Sequence, residues 1–164
     1  MSRIATVFSA LALAFAVQLA PAGAAEVGVW IDDKGEGAVD IAPCGTKLCG
    51  KIVWLKQPLD KAGKPLIDDL NPQAAKRKQL VCGLQVLGSL VKQSDGTWDQ
   101  GWVYDPKVGE AYDLMVQLKD ANHLVIIGYK GIKLFGQKFV WTRANQPLPP
   151  CAAQPAAAAP APKT

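Results

Sequence analysis

Hydrophobic positions along this chain recur mostly at every second residue, in runs of four to eight broken by glycine, proline, asparagine and aspartate. Period-two patterning is the signature of half-buried strands, because successive side chains point to opposite faces of a sheet. The clearest run is 111–118, where Tyr112, Leu114, Val116 and Leu118 share one face and Asp113 and Gln117 the other. Further strands are predicted over 27–31, 38–43, 50–55, 80–91, 97–104, 123–129 and 132–143, with turns at 32–37, 94–96, 105–109 and 119–122. Trp98, Trp102 and Tyr104 have the same parity and are predicted to share a face. Seven to eight short strands at this spacing suggest a barrel or sandwich, and tight turns between sequence neighbours favour an up-and-down barrel.

The rhythm breaks once. Lys56–Gln79 is polar, long and contains Pro58, Pro65 and Pro72. Asn71 before Pro72 reads as a helix start, so Gln73 to Gln79 is predicted to form two turns of helix. An insertion of this length beside short hairpins acts as a lid or as a decorative loop. The expectation is thus an all-β, single antiparallel up-and-down β-barrel with a short helix in the Lys56–Gln79 insertion.

The ends of the chain are of different character. Arg3 precedes an uncharged apolar run over 4–20, followed by the small residues Pro21-Ala22-Gly23-Ala24-Ala25. This is the pattern of an export signal, cleaved most simply after Ala25. Residues 1–25 are therefore predicted as signal peptide, 26–144 as barrel domain and 145–164 as an Ala/Pro-rich disordered tail. No second segment is long and apolar enough to cross a bilayer, so no stable membrane span is expected after cleavage. A periplasmic or secreted location follows. Without Arg3 the formal charge falls from +4 to +3, too mild to argue for nucleic acid. Lys76-Arg77-Lys78 is the one basic cluster and reads as a solvated face.

Four cysteines in an exported chain suggest two disulfides. Cys44 and Cys49 flank Gly45-Thr46-Lys47-Leu48, a turn with a strand on either side, and cross-strand neighbours of such a hairpin meet disulfide geometry. Cys82 and Cys151 pair by default. Zinc is disfavoured: no Cys-x-x-Cys is present and His123 is the single histidine. The carboxylate pairs Asp32/Asp33 and Asp68/Asp69 read first as turn and cap residues. No nucleophile–base signature accompanies His123. Neither an enzyme nor a cofactor is expected.

The tryptophans are the remaining candidates. Gly28 and Trp30 lie on the first predicted strand, Trp141 and Arg143 on the last. A sheet that closes brings these strands together, so Trp30 plugs one end with the Arg143 guanidinium over its indole, and Gly28 and Trp141 complete the cap. Trp54, Trp98, Trp102, Tyr104, Tyr112, Leu114 and Tyr129 are left as candidate ligand-wall residues, since small-molecule pockets are mostly apolar and aromatic with few polar handles. Gly83, Gly88, Gly101 and Gly128 leave interior volume where they face inward.

The bookend phrases Gly28-Val29-Trp30 and Trp141-Thr142-Arg143 resemble the lipocalins and the wider calycin group. With Pro43-Cys44-Gly45-Thr46-Lys47-Leu48-Cys49-Gly50-Lys51-Ile52, Asp69-Leu70-Asn71-Pro72, Trp102-Val103-Tyr104-Asp105-Pro106, and Gly109 with Tyr112, they also resemble an exported bacterial family known as domain of unknown function 2147. The motifs run in that family's order over nearly the whole mature domain. The resemblance implies a calycin/lipocalin-like barrel with no settled biochemical role. Cys82, Cys151 and the Ala/Pro tail fall outside the shared pattern. The expected partner is a small apolar or amphipathic molecule; the alternative is an envelope interaction module whose barrel is filled by its own side chains.

Overall fold

The computed structural model describes residues 24–151. The predicted signal sequence up to Gly23 and the tail beyond Cys151 lie outside the described residues. Eight strands close into one barrel in sequence order: β1 (Gly28–Ile31), β2 (Gly37–Cys44), β3 (Lys47–Leu55), β4 (Gln85–Lys92), β5 (Trp98–Asp105), β6 (Glu110–Asp120), β7 (His123–Tyr129) and β8 (Gln137–Arg143). Every pair is antiparallel, and β1 closes on β8 through Trp30 opposite Arg143. Closure removes the exposed sheet edges that an open eight-stranded sheet presents.

Connectivity gives the barrel two different ends. The β2–β3, β4–β5 and β6–β7 turns lie at one end, with the segment that leads into β1 and the one that leaves β8. The β1–β2 turn, the 56–84 insertion, the β5–β6 turn and the β7–β8 loop lie at the other, called here the mouth.

The first end is sealed. Trp30 is fully buried and its Nε1 donates to the Glu26 carbonyl at 2.8 Å. The Arg143 guanidinium stacks 4.0 Å from the indole centroid. It also donates to the carbonyls of Ala121, Val27 and Ala25, tying the β6–β7 turn to the lead-in of β1. Gly28 is required beside it: its φ is +126°, and a Cβ there would stand 2.7 Å from the Arg143 guanidinium. Trp141 packs half-buried against the same core, opposite Leu124.

The hairpin at this end is tighter than the sequence predicts. Strand pairing continues to Cys44 opposite Lys47, so the turn is the two residues Gly45-Thr46, with Gly45 at φ +70°. Cys44 and Cys49 are joined across it, their Cα atoms 5.8 Å apart. The ring is small, so its entropic contribution falls below the roughly 3 kcal/mol of a 15-residue loop. Cys44→Ser with Cys49→Ser is expected to lower the melting temperature modestly while hydrogen exchange accelerates locally around 42–49. Global unfolding on reduction would contradict that local role.

Cys82 and Cys151 correct the second predicted pair. Both are free thiols, one half-buried and one buried, packed against the core. Elimination assigned them to each other without any turn to hold them in disulfide geometry. Burial pushes the Cys82 thiol pKa up. Residues 144–151 are also placed, lying against Val29 and Val53 on the outside of the barrel and ending on buried Cys151.

The insertion holds one 3-10 turn, Ala74–Lys76, where two turns of helix were predicted. Asn71 does accept the Gln73 amide at 2.9 Å, but the Arg77 guanidinium bonds back to the Asn71 carbonyl and the chain leaves the turn at once. No residue of this turn is buried, so no packed face sustains a longer helix. Strand β4 accordingly begins at Gln85, and residues 80–84 belong to the insertion.

Candidate functional site

Which side chains enter the barrel is decided by two bulges. Gln100 and Ser89 both take positive φ, +61° and +59°. The register between β5 and β6 shifts between Trp98 and Gly101. An extra residue in a strand reverses the parity beyond it. Trp98 therefore points inward and is buried, as do Gly101 and Val103 beyond it, whereas Trp102 and Tyr104 point outward. Trp102 lies over Gly88 on the outer face, 2.9 Å from where a Cβ would be. The predicted shared face of Trp98, Trp102 and Tyr104 is thereby corrected.

The other candidates divide in the same way. Leu114 is fully buried in the core. Tyr112 faces inward at the mouth, half-buried, its hydroxyl donating to Glu110 at 2.8 Å. Trp54 pairs with Ala38 beyond a register shift and stands apart from the core cluster. Tyr129 is on the outer face, its hydroxyl 3.2 Å from the Asp99 carboxyl. Tyr104 reaches outward to the insertion and donates to Asp68 at 2.7 Å. The structure thus brings Trp98, Leu114 and Tyr112 to the inner face and leaves Trp54, Trp102, Tyr104 and Tyr129 outside.

The deep interior is filled. Trp30, Ile41, Leu48, Leu87, Leu90, Leu114, Val116 and Leu124 are all less than 2% exposed. The inward glycines are space given over to these side chains. A Cβ on Gly101 would stand 2.6 Å from Leu90, and one on Gly50 would stand 2.8 Å from both Leu87 and Val39. Glycine on these strands therefore serves close packing. Of the other glycines named from sequence, Gly88 faces out, and Gly83 lies in the insertion, where a Cβ would meet open space.

Packing loosens toward the mouth on the β5–β8 side. Val103 pairs with Tyr112, Gly128 with Leu114 and Gln137, and Phe139 with Ile126. Val103, Tyr112, Gly128 and Phe139 face inward and are only half-buried. A Cβ on Gly128 would find its nearest atoms, in Tyr112 and Val103, no closer than 3.9 Å. This half-buried apolar area, called here the cup, lies level with buried Leu114 and Ile126, the partners of Gly128 and Phe139. Its rim is polar. Lys130 bonds Glu110 at 2.8 Å and lies 4.9 Å from the Tyr112 ring centroid. Bonds from Lys130 and then Tyr112 hold the Glu110 pKa below its ordinary value, and the Glu110 bond raises that of Tyr112. The rest of the mouth is covered. Lys107 on the β5–β6 turn pairs with Glu36 on the β1–β2 turn, half a barrel away. Leu66, Val81 and Leu84 of the insertion pack against the core.

The remaining polar candidates are structural. Asp32 caps its own turn by accepting the amides of Lys34 and Glu36. His123 is exposed and pairs with Asp120. Among the described residues, no group of three His, Cys, Asp or Glu is placed to hold a metal ion. Two grooves lie outside the barrel: one of about 650 Å³ beneath residues 144–150 against Val29 and Val53, and one of about 340 Å³ on the outer face of β6–β8.

Residues 28–143 match the family described as "Uncharacterized protein conserved in bacteria (DUF2147)". The chain belongs to the DUF2147 family. No curated protein matches it. A solved structure described as protein HP1028 from the human pathogen Helicobacter pylori, which "belongs to the lipocalin family", is similar with a TM-score of 0.62. Its sequence is 20% identical, and the likeness covers 73% of this chain and 83% of that one. At that identity the shared property is the fold. This DUF2147 protein is a lipocalin-like barrel.

Proposed function

We propose that this DUF2147 protein is an exported, non-enzymatic binding protein that takes a small amphipathic molecule at the mouth. The apolar part enters the cup formed by Val103, Tyr112, Gly128 and Phe139. A polar or anionic head meets Lys130 and the Tyr112 hydroxyl at the rim. One observation carries this reading: the inner face is half-buried at these four residues, while Leu114 and Ile126 beside them and Leu87 and Leu90 elsewhere in the interior are closed. A deep cavity of the kind that swallows a whole ligand has no room between Leu87, Leu90 and Gly101.

Gly128→Leu tests the cup directly. The substitution fills free space in a strand without a positive φ, so the fold is retained. Binding of a fluorescent fatty-acid analogue is expected to fall by about tenfold or more, the scale of roughly 1.5–3 kcal/mol for a blocked apolar side-chain site. Trp102→Ala, on the outer face, is expected to leave it unchanged. Undiminished binding by Gly128→Leu would reject the cup. The filled interior favours a second reading, an envelope interaction module acting through its loops; absence of binding across a panel of amphiphiles would select it.

A further inference from the structure

The β7–β8 loop departs most from what a soluble surface requires. Leu134 and Phe135 are 86% and 80% exposed, and Ile132 beside them is 60% exposed. These are the three most exposed large hydrophobic side chains among the described residues. Single exposed leucines are ordinary, but a cluster of three at one loop tip is not.

The loop is held out in this position. The Gly131 amide donates to the Asp113 carboxyl at 3.1 Å. Lys133 bonds Asp99 and lies over the Tyr129 ring. A 3-10 turn over Lys133–Phe135 closes with the Gly136 amide on the Lys133 carbonyl, and a Cβ on Gly136 would meet Ile127 at 2.9 Å. Tyr129 and Asp99 thus anchor the base of a loop whose apolar tip is exposed.

The loop's own charges have one sign, although acids of the neighbouring strands face two of them. Residues 130–138 contain Lys130, Lys133 and Lys138 and no acid. Lys130 and Lys133 are paired with acids on the barrel side of the loop, which fixes their direction. Lys138 stands on the outer face of β8, where it lines the 340 Å³ groove with Lys119, Val125 and Val140. An apolar tip next to an outer face that carries Lys138 and Lys119 among apolar residues complements an anionic bilayer: the tip enters the headgroup–acyl boundary and the outer-face lysines meet the phosphates.

We infer that the β7–β8 loop docks this protein on anionic lipid surfaces, with Ile132, Leu134 and Phe135 inserted. The inference is independent of the cup. It is tested by co-sedimentation of the full mature chain with vesicles of phosphatidylcholine alone or mixed with phosphatidylglycerol. The wild-type protein is expected to pellet with the anionic vesicles, and far less with the neutral ones. Leu134→Glu with Phe135→Glu, at exposed positions, should keep the wild-type melting temperature and lose vesicle binding by about tenfold or more, as expected when buried apolar area is replaced by charge. Gly128→Leu should pellet like wild type. The inference is overturned by wild-type protein that stays in the supernatant, by a double variant that still pellets, or by loss of pelleting in Gly128→Leu. It is equally overturned if wild type is a dimer that the double variant dissociates, which would make a second copy the occupant.

Discussion

Trp30→Ala is expected to bring the domain to the edge of unfolding at room temperature. The indole is fully buried, spans the sealed end and donates its one proton to the Glu26 carbonyl. Truncating a buried tryptophan costs roughly 3–5 kcal/mol through lost burial and the cavity left behind. Loss of the stacked guanidinium adds about 0.5–2 kcal/mol. Against a total stability of about 5–15 kcal/mol, that is a large share. Arg143→Ala removes the stacking and the three carbonyl bonds but leaves the indole in place, so its effect is smaller. The double variant should destabilise by less than the sum of the singles, because the two side chains share one contact. Urea unfolding followed by far-UV circular dichroism measures all three. A Trp30→Ala midpoint equal to that of wild type would show that the seal contributes nothing.

How far the sequence reveals such features depends on the range over which they are encoded. Strand order and closure follow from local alternation and turn chemistry, so β6 and β7 are readable almost residue by residue. The seal is readable because it joins two special residue types on the first and last strands, which any closed sheet must bring together. The Cys44–Cys49 bridge is readable because it spans a single turn. Parity in β5 is not, because the left-handed conformations of Gln100 and Ser89 arise from the packing of two bulged strands. That one displacement turns Trp102 and Tyr104 outward and takes two of the six aromatics from the predicted wall. The inward glycines mislead for a related reason. A glycine signals close approach, and only the structure shows that Leu90 occupies the place beside Gly101. Cup residues Val103 and Phe139 carry no distinguishing chemistry that would single them out in the sequence.

The outward turn of Tyr104 has a consequence of its own, expected to be the second largest. Asp68 is fully buried within the insertion, and its carboxyl accepts the Tyr104 hydroxyl at 2.7 Å and the Asn71 amide at 2.6 Å. The β5–β6 turn closes against the same segment, since Gly109 has a φ of +70° and a Cβ there would lie 2.1 Å from the Leu70 carbonyl oxygen. Asp68→Ala leaves two polar partners unmatched, about 1–3 kcal/mol each. The loss should release the insertion before the barrel, so limited proteolysis is expected to cut within 56–84 while the strands persist. Tyr104→Phe removes one of the two bonds and should show about half the effect. The pH dependence carries a sign. Burial, and then the Asp68 bond, push the Tyr104 pKa from 10.0 up to about 12. Below pH 10 both folded and unfolded chains hold the proton and the stabilisation is complete. Between about 10 and 12 the unfolded chain releases a proton that the folded chain retains, so stability falls as pH rises through this window. Tyr104→Phe should flatten that decline, with the upward-shifted Tyr112 and Tyr129 supplying what remains. An alkaline stability profile for Tyr104→Phe that overlays wild type would place the source of the decline elsewhere and reduce the Asp68 contact to a surface bond.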